Sequence, residues 1–138
     1  MIRILYVSQP AYNIKDQQVQ EILASSRRNN PGLGLTGVLI YGGGLFMQVL
    51  EGPDANVLRM YTRILDDKRH LDSQIVHISP STERIFPKWS MGVIKSDPLR
   101  FRHMAKLREQ RFESVPSDAF TAAMNEFLEM LNAGQPAE

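Results

Sequence analysis

The 138 residues suit one domain with a sizeable core, and 43% hydrophobic with 22% charged residues is an ordinary balance for a water-soluble chain. A net charge of +1 gives no global argument for nucleic acid or an anionic membrane as partner. The absence of cysteine excludes disulfides, thiol nucleophiles and thiolate metal sites; the opening Met-Ile-Arg-Ile-Leu-Tyr-Val lacks a signal-peptide layout, and no apolar run nears the roughly 20 residues of a membrane span, so a cytoplasmic location is expected.

Residues 2–8 predict a first strand. Ile2, Ile4, Tyr6 and Ser8 share one face, and Arg3, Leu5 and Val7 share the other. Tyr6 is a hydrogen-bonding group in an apolar row; a core tyrosine with its hydroxyl on a backbone carbonyl is the plain reading of it. Residues 16–29 predict a helix, with Asp16 favouring its N-terminus and Val19, Ile22, Leu23 and Ser26 on one face. Asn29-Asn30-Pro31-Gly32 is expected to end it. The run Gly32-Leu33-Gly34-Leu35-Thr36-Gly37 matches G-x-G-x-x-G, but a helix precedes it and a strand follows, the reverse of what a dinucleotide fingerprint needs.

Residues 36–52 read as two strands joined at Gly42-Gly43-Gly44. In the second of these, Phe46, Gln48 and Leu50 point one way, and Leu45, Met47, Val49 and Glu51 the other. Gln48 is an amide between two large apolar residues. Buried without partners it would cost on the order of 1–3 kcal/mol, so partners are expected. Pro53-Asp54 opens a second helix with an apolar stripe of Val57, Met60, Tyr61, Ile64 and Leu65. Arg63 lies four residues before Asp67, and residues 66–70 read as a polar helix end. Further strands are expected at 74–80 and at 89–95, the last with Trp89, Met91 and Val93 on one face. From residue 97 the pattern becomes helical, with Phe120, Ala123, Met124, Phe127, Leu128 and Leu131 in a stripe.

The order strand–helix–strand–strand–helix–strand, plus one strand, predicts an α+β ferredoxin-like sandwich. It has a five-stranded sheet, two helices on one face and a C-terminal helical pair. The expected division is 1–96 for the sandwich and 97–138 for a helical cap or output extension. Tyr6 and Gln48 fall on the helix-covered face, near a slot between the two helices.

His70, His77 and His103 have no metal-ligand spacing, and no metal site is expected. No G-x-S-x-G elbow or Walker loop occurs. An acylphosphatase-like hydrolase on the same sandwich is the alternative reading, with Arg63 or Arg69 holding phosphate and Asn29 or Asn30 placing water. A sheet-based RNA binder is disfavoured by the charge and by the lack of an aromatic binding strand.

The residues together resemble a BLUF domain, the flavin-binding blue-light sensor, in its short single-domain form. The resemblance runs from about Ile2 to Val93. It rests on Leu-Tyr-Val-Ser (5–8), Ser26, Asn29-Asn30, Leu-Thr-Gly-Val-Leu (35–39) and Phe-Met-Gln-Val-Leu-Glu-Gly (46–52). It continues through Tyr-Thr-Arg-Ile (61–64), Asp-Lys-Arg-His (67–70) and Trp-Ser-Met (89–91). It implies FAD as cofactor, its ring in the slot between the helices. Asn30 would meet the ring's C4 carbonyl and N3–H edge, with Asn29 and Arg63 on neighbouring polar groups. Asp67, Arg69 and His70 would lie at the outer flavin or its phosphates. Ile22, Leu23 and Ile64 would press on the ring, and Ser26 and Phe46 belong to the same implied site.

Tyr6 and Gln48 are implied as the photoactive pair at the N5/C4 edge, with Gln48 exchanging its hydrogen bonds under light and Trp89 and Met91 relaying the change. The resemblance implies a light-sensing signalling protein without turnover of its own. Its output would pass to a separate protein, such as a nucleotide-second-messenger enzyme or a response regulator. A homo-oligomer is expected, with no nucleic-acid or membrane partner.

Overall fold

In the computed structural model, residues 1–10, 15–42, 45–67, 70–95 and 129 are described, the side chains of Pro10 and His70 excepted. The elements are β1 (Ile2–Pro10), α1 (Asp16–Leu33), β2 (Thr36–Gly42), β3 (Leu45–Gly52), α2 (Asp54–Asp66), β4 (His70–Pro80) and β5 (Gly92–Lys95). The expected turn residues Gly43 and Gly44, and the expected helical pair beyond residue 96 apart from Glu129, lie outside the described residues.

The sheet order is β4-β1-β3-β2-β5. β1 pairs antiparallel with β3 and β4, β2 antiparallel with β3, and β5 parallel with β2. That is the ferredoxin-like sandwich with one strand added at the β2 edge. Strict alternation in β1 and β3 sorts the core into two layers. Ile4, Tyr6, Phe46 and Leu50 pack with Val19, Leu23, Val57 and Tyr61 of the helices. Leu5, Val7, Met47 and Val49 pack on the other face with Phe86 and Trp89.

Four expectations are corrected. α1 does not stop at Asn29 but runs through Pro31 to Leu33. Pro31 removes only one donor near the end of the helix, and the end is closed by Gly34 in the left-handed region (φ 66). The Leu35 N–H donates to Asn30 O at 3.0 Å, and the Gly34 N–H to Pro31 O at 3.2 Å. Leu65, expected in the apolar stripe of α2, is 51% exposed. β4 begins at His70 rather than 74. Its pairing with β1 shifts register between Leu5 and Tyr6 and again between Val7 and Gln9, and Asp72 near the second shift has φ 51.

The fourth correction matters most. β5 starts at Gly92, so Trp89 and Met91 precede it in an irregular connector. They do not share a face: Trp89 packs with the layer away from the helices, and Met91 with the layer beneath them. Period-two alternation holds only for extended backbone, and here the backbone is set by long-range bonds. The Trp89 carbonyl accepts from the Gly37 N–H at 2.9 Å. Gly37 itself admits no side chain, since a Cβ would sit 1.9 Å from Val49 O.

Candidate functional site

α1 and α2 lie over the same sheet face, and a cavity of about 150 Å³ opens between them. It is lined by residues from both helices and from β3: Ile22, Ser26, Asn29 and Asn30 from α1, Gln48 from β3, and Arg63 and Ile64 from α2, with Asp67 just beyond that helix. These eight are residues singled out from the sequence. Ser25, Leu50 and Met60 also line it and were missed, although the pattern that found Ser26, Gln48 and Ile64 places each of them beside one of those residues. Leu23 and Phe46 are buried in the apolar layer on this face and do not line the cavity. Arg69 and the His70 side chain lie outside the described residues.

Tyr6 and Gln48 face one another because β1 and β3 pair in a register that sets them directly opposite. The Tyr6 hydroxyl donates to Gln48 Oε1. Gln48 Nε2 donates to Met91 Sδ at 3.3 Å. Tyr6 is fully buried, Gln48 is 5% exposed and Met91 is fully buried. The plain reading of Tyr6, a hydroxyl on a backbone carbonyl, is thus replaced by a side-chain pair. The Tyr6 ring tilts against Tyr61 of α2, with centroids 5.0 Å apart at 57°, and the Tyr61 hydroxyl shares a 2.9 Å hydrogen bond with Ser73 of β4. Burial pushes the Tyr6 phenol well above its ordinary pKa, and the nearby Tyr61 and Asp67 push it the same way. The phenol therefore stays protonated and acts as a donor.

Asn30 is 1% exposed, and its Nδ2 donates to Ser90 O at 2.7 Å. An amide has a second N–H and a carbonyl oxygen beyond that bond. Arg27 Nε donates to Met91 O at 3.3 Å. Residues 89–91 are thus fastened to α1, β2 and Gln48 together.

The chemistry available follows from the amide. Gln48 joins one acceptor and one donor on a single rotor, each with a neighbour already in place. Half a turn about its last bond exchanges the group presented to Tyr6, to Met91 and to the cavity. The lining suits a flat heteroaromatic ligand. Ile22, Leu50, Met60 and Ile64 give apolar contact, while the amides of Asn29, Asn30 and Gln48, two serines and the Arg63 guanidinium give hydrogen-bonding groups.

Comparison with known proteins identifies the family of the chain. Residues 1–92 match the model of the BLUF family, described as sensors of blue light using FAD. The chain is 36% identical over 89 residues to the photoactivated adenylate cyclase subunit beta of Euglena gracilis, a match covering 64% of this chain and 10% of that protein. The chain therefore spans about a tenth of the length of that curated relative. Among solved structures it resembles BlsA in its photo-activated state (27% identity, TM-score 0.77, 99% of each chain). It also resembles BlrB, a BLUF protein in its dark state (26% identity, TM-score 0.76, 93% of this chain and 95% of that one). A bacterial light-regulated adenylyl cyclase matches at 28% identity and TM-score 0.69, over 98% of this chain and 40% of that one.

Proposed function

The chain belongs to the BLUF family of blue-light sensors, and we propose that it holds FAD non-covalently between α1 and α2 and signals through a hydrogen-bond switch at Gln48. The observation that carries this reading is the buried Tyr6–Gln48–Met91 chain, with Gln48 itself in the cavity wall. The lining fits a flavin ring by the chemistry of its donors: apolar side chains for the ring faces, and amides for a rim of alternating carbonyl and N–H groups. Asn29, Asn30 and Arg63 hold that rim in this reading, and Asp67 meets the outer part of the cofactor; for Arg69 and His70, outside the described residues in their side chains, the same role rests on the sequence resemblance alone.

The bound flavin supplies a strong one-electron oxidant when it absorbs blue light. Tyr6 is oxidisable, and its phenol loses a proton as it loses an electron. Gln48 Oε1 is the acceptor in place for that proton. As the electron and the proton both return to Tyr6, the amide would settle in a different hydrogen-bond pattern. Met91, bonded to the same amide, is the first residue to feel the change, and Trp89 follows two residues away along the connector.

The protein in this reading turns over no substrate. It passes the change to a downstream signalling protein. A nucleotide-second-messenger enzyme is favoured as that partner, because relatives are named as photoactivated and light-regulated cyclases. Residues 97–138 are assigned as the output extension, and a homo-oligomer is the working assembly. The acylphosphatase-like alternative is not carried further, since the family match covers both helices and four of the five strands entirely.

Purified protein is expected to be yellow, to shift its flavin absorption to the red under blue light and to recover in darkness. A preparation unable to take up flavin overturns the reading. Gln48→Leu should keep the flavin and lose the shift; a full shift in that variant removes Gln48 from the mechanism.

A further inference from the structure

Glu51 lies three residues beyond Gln48 on β3, in the row that faces away from the cavity, and is fully buried. Both carboxylate oxygens are engaged twice. Oε1 accepts from Thr36 Oγ1 at 3.1 Å and from the Phe86 N–H at 2.6 Å. Oε2 accepts from Arg3 Nε at 3.1 Å and from the Ile85 N–H at 3.0 Å. Arg3 extends the cluster to Ser81 Oγ at 3.0 Å and Glu83 O at 2.9 Å. Arg84 binds Thr36 Oγ1 at 2.8 Å, Gly34 O at 2.6 Å and the Glu51 carbonyl at 3.3 Å.

Residues 81–86 are thus tied to the end of β3 and its neighbours by charge-assisted bonds, which are shorter and roughly twice as strong as neutral ones. The same connector carries Met91, whose sulfur meets Gln48. One strand therefore grips the connector at two points: by a carboxylate that accepts from the N–H groups of residues 85 and 86, and by a neutral, rotatable amide at residue 91.

We infer that Glu51 is a positioning residue of the light switch, holding one end of the connector so that a change at Gln48 must displace residues 87–91 against a fixed point. The inference rests on the light-switch reading above. With the carboxylate's grip weakened, the connector moves more freely in both directions, and the barrier to dark recovery falls.

The test is Glu51→Gln in the flavin-loaded protein. Glutamine has one oxygen where two accept, and its NH2 group meets donors. Flavin binding and the size of the red shift should be retained, because Tyr6 and Gln48 are untouched. Dark recovery should be faster by roughly threefold or more. Amide hydrogen exchange should rise in residues 85–91 and stay unchanged in β1. Should that variant fail to fold, Arg3→Lys reads the same quantities. It keeps the buried charge paired but loses the fork that reaches Ser81 and Glu83, and a smaller acceleration is expected. Recovery equal to or slower than that of the parent protein, even with raised exchange, makes Glu51 a mere loop fastener and overturns the inference. Loss of the red shift with flavin bound overturns it too, by placing Glu51 in the photochemistry. A parent protein that shows no red shift defeats the light-switch reading itself, whereas a normal parent with an unaltered Glu51→Gln recovery defeats this inference alone.

Discussion

On the sheet face beneath the helices, Tyr6 and Gln48 are buried neutral groups bonded to each other and to a thioether. On the opposite face Glu51, buried as deeply, is held by two backbone N–H groups, a hydroxyl and a guanidinium. A neutral hydrogen bond contributes about 0.5–1.5 kcal/mol net and can be exchanged for another at little cost. Breaking a buried ionic cluster by removing one partner costs about 3–5 kcal/mol. The alternation of β3 puts these two regimes three residues apart on one strand. In the proposed reading, one face rearranges while the other gives it a frame, built of Leu5, Val7, Val38, Ile40, Met47, Val49, Phe86 and Trp89.

The largest expected effect breaks the frame. Trp89 is 1% exposed in the layer away from the cavity, so Trp89→Ala should cost about 3–5 kcal/mol in denaturant unfolding. The folded fraction should still form the red-shifted state. Unchanged stability, or a stable variant without the shift, would erase the division between the faces.

The next effect isolates the switch face by pH. Tyr6 has its pKa raised in the folded state by burial, so above the unfolded value of about 10 the unfolded chain holds fewer protons than the folded one. The stability from the protonated phenol is complete below that value and is lost as the pH rises toward the folded pKa. The slope approaches at most about 1.4 kcal/mol per pH unit for one proton. Tyr6→Phe should flatten the alkaline limb by that amount. An identical limb in both proteins would show that Tyr6 titrates as though exposed.

The smallest effect concerns the amide's second partner. Met91→Leu keeps the volume of a fully buried side chain and should cost less than about 1.5 kcal/mol. It removes the sulfur that Gln48 Nε2 meets. Dark recovery should slow by roughly twofold, since the resting orientation of Gln48 has lost a bond. Recovery identical to that of the parent protein would take Met91 out of the relay.

The faces of β1 and β3 were legible in the sequence because both strands are regular, and a period of two then dictates which residues meet. Gln48 and Tyr6 could be marked as polar intrusions for the same reason. The end of α1 was not legible, because Pro31 is tolerated where Gly34 and Leu35 close the last turn. The faces of Trp89 and Met91 were not legible either. Their backbone obeys bonds to Gly37, Asn30 and Arg27, more than fifty residues away in sequence. Glu51 stood in an apolar row beside Val49 and Met47, and nothing local marks the four donors that converge on it.

β4 is an edge strand of 11 residues in which Leu71, Ile75 and Ile78 are exposed, the composition of a strand prone to join others edge to edge. Its two register shifts and the left-handed Asp72 break that edge into short pieces. Among the described residues, that edge presents no straight, evenly spaced row of N–H and carbonyl groups to a second chain. The irregular pairing beside Tyr6 thus also gives resistance to aggregation, and a variant that straightened β4 would trade solubility for a tidier sheet.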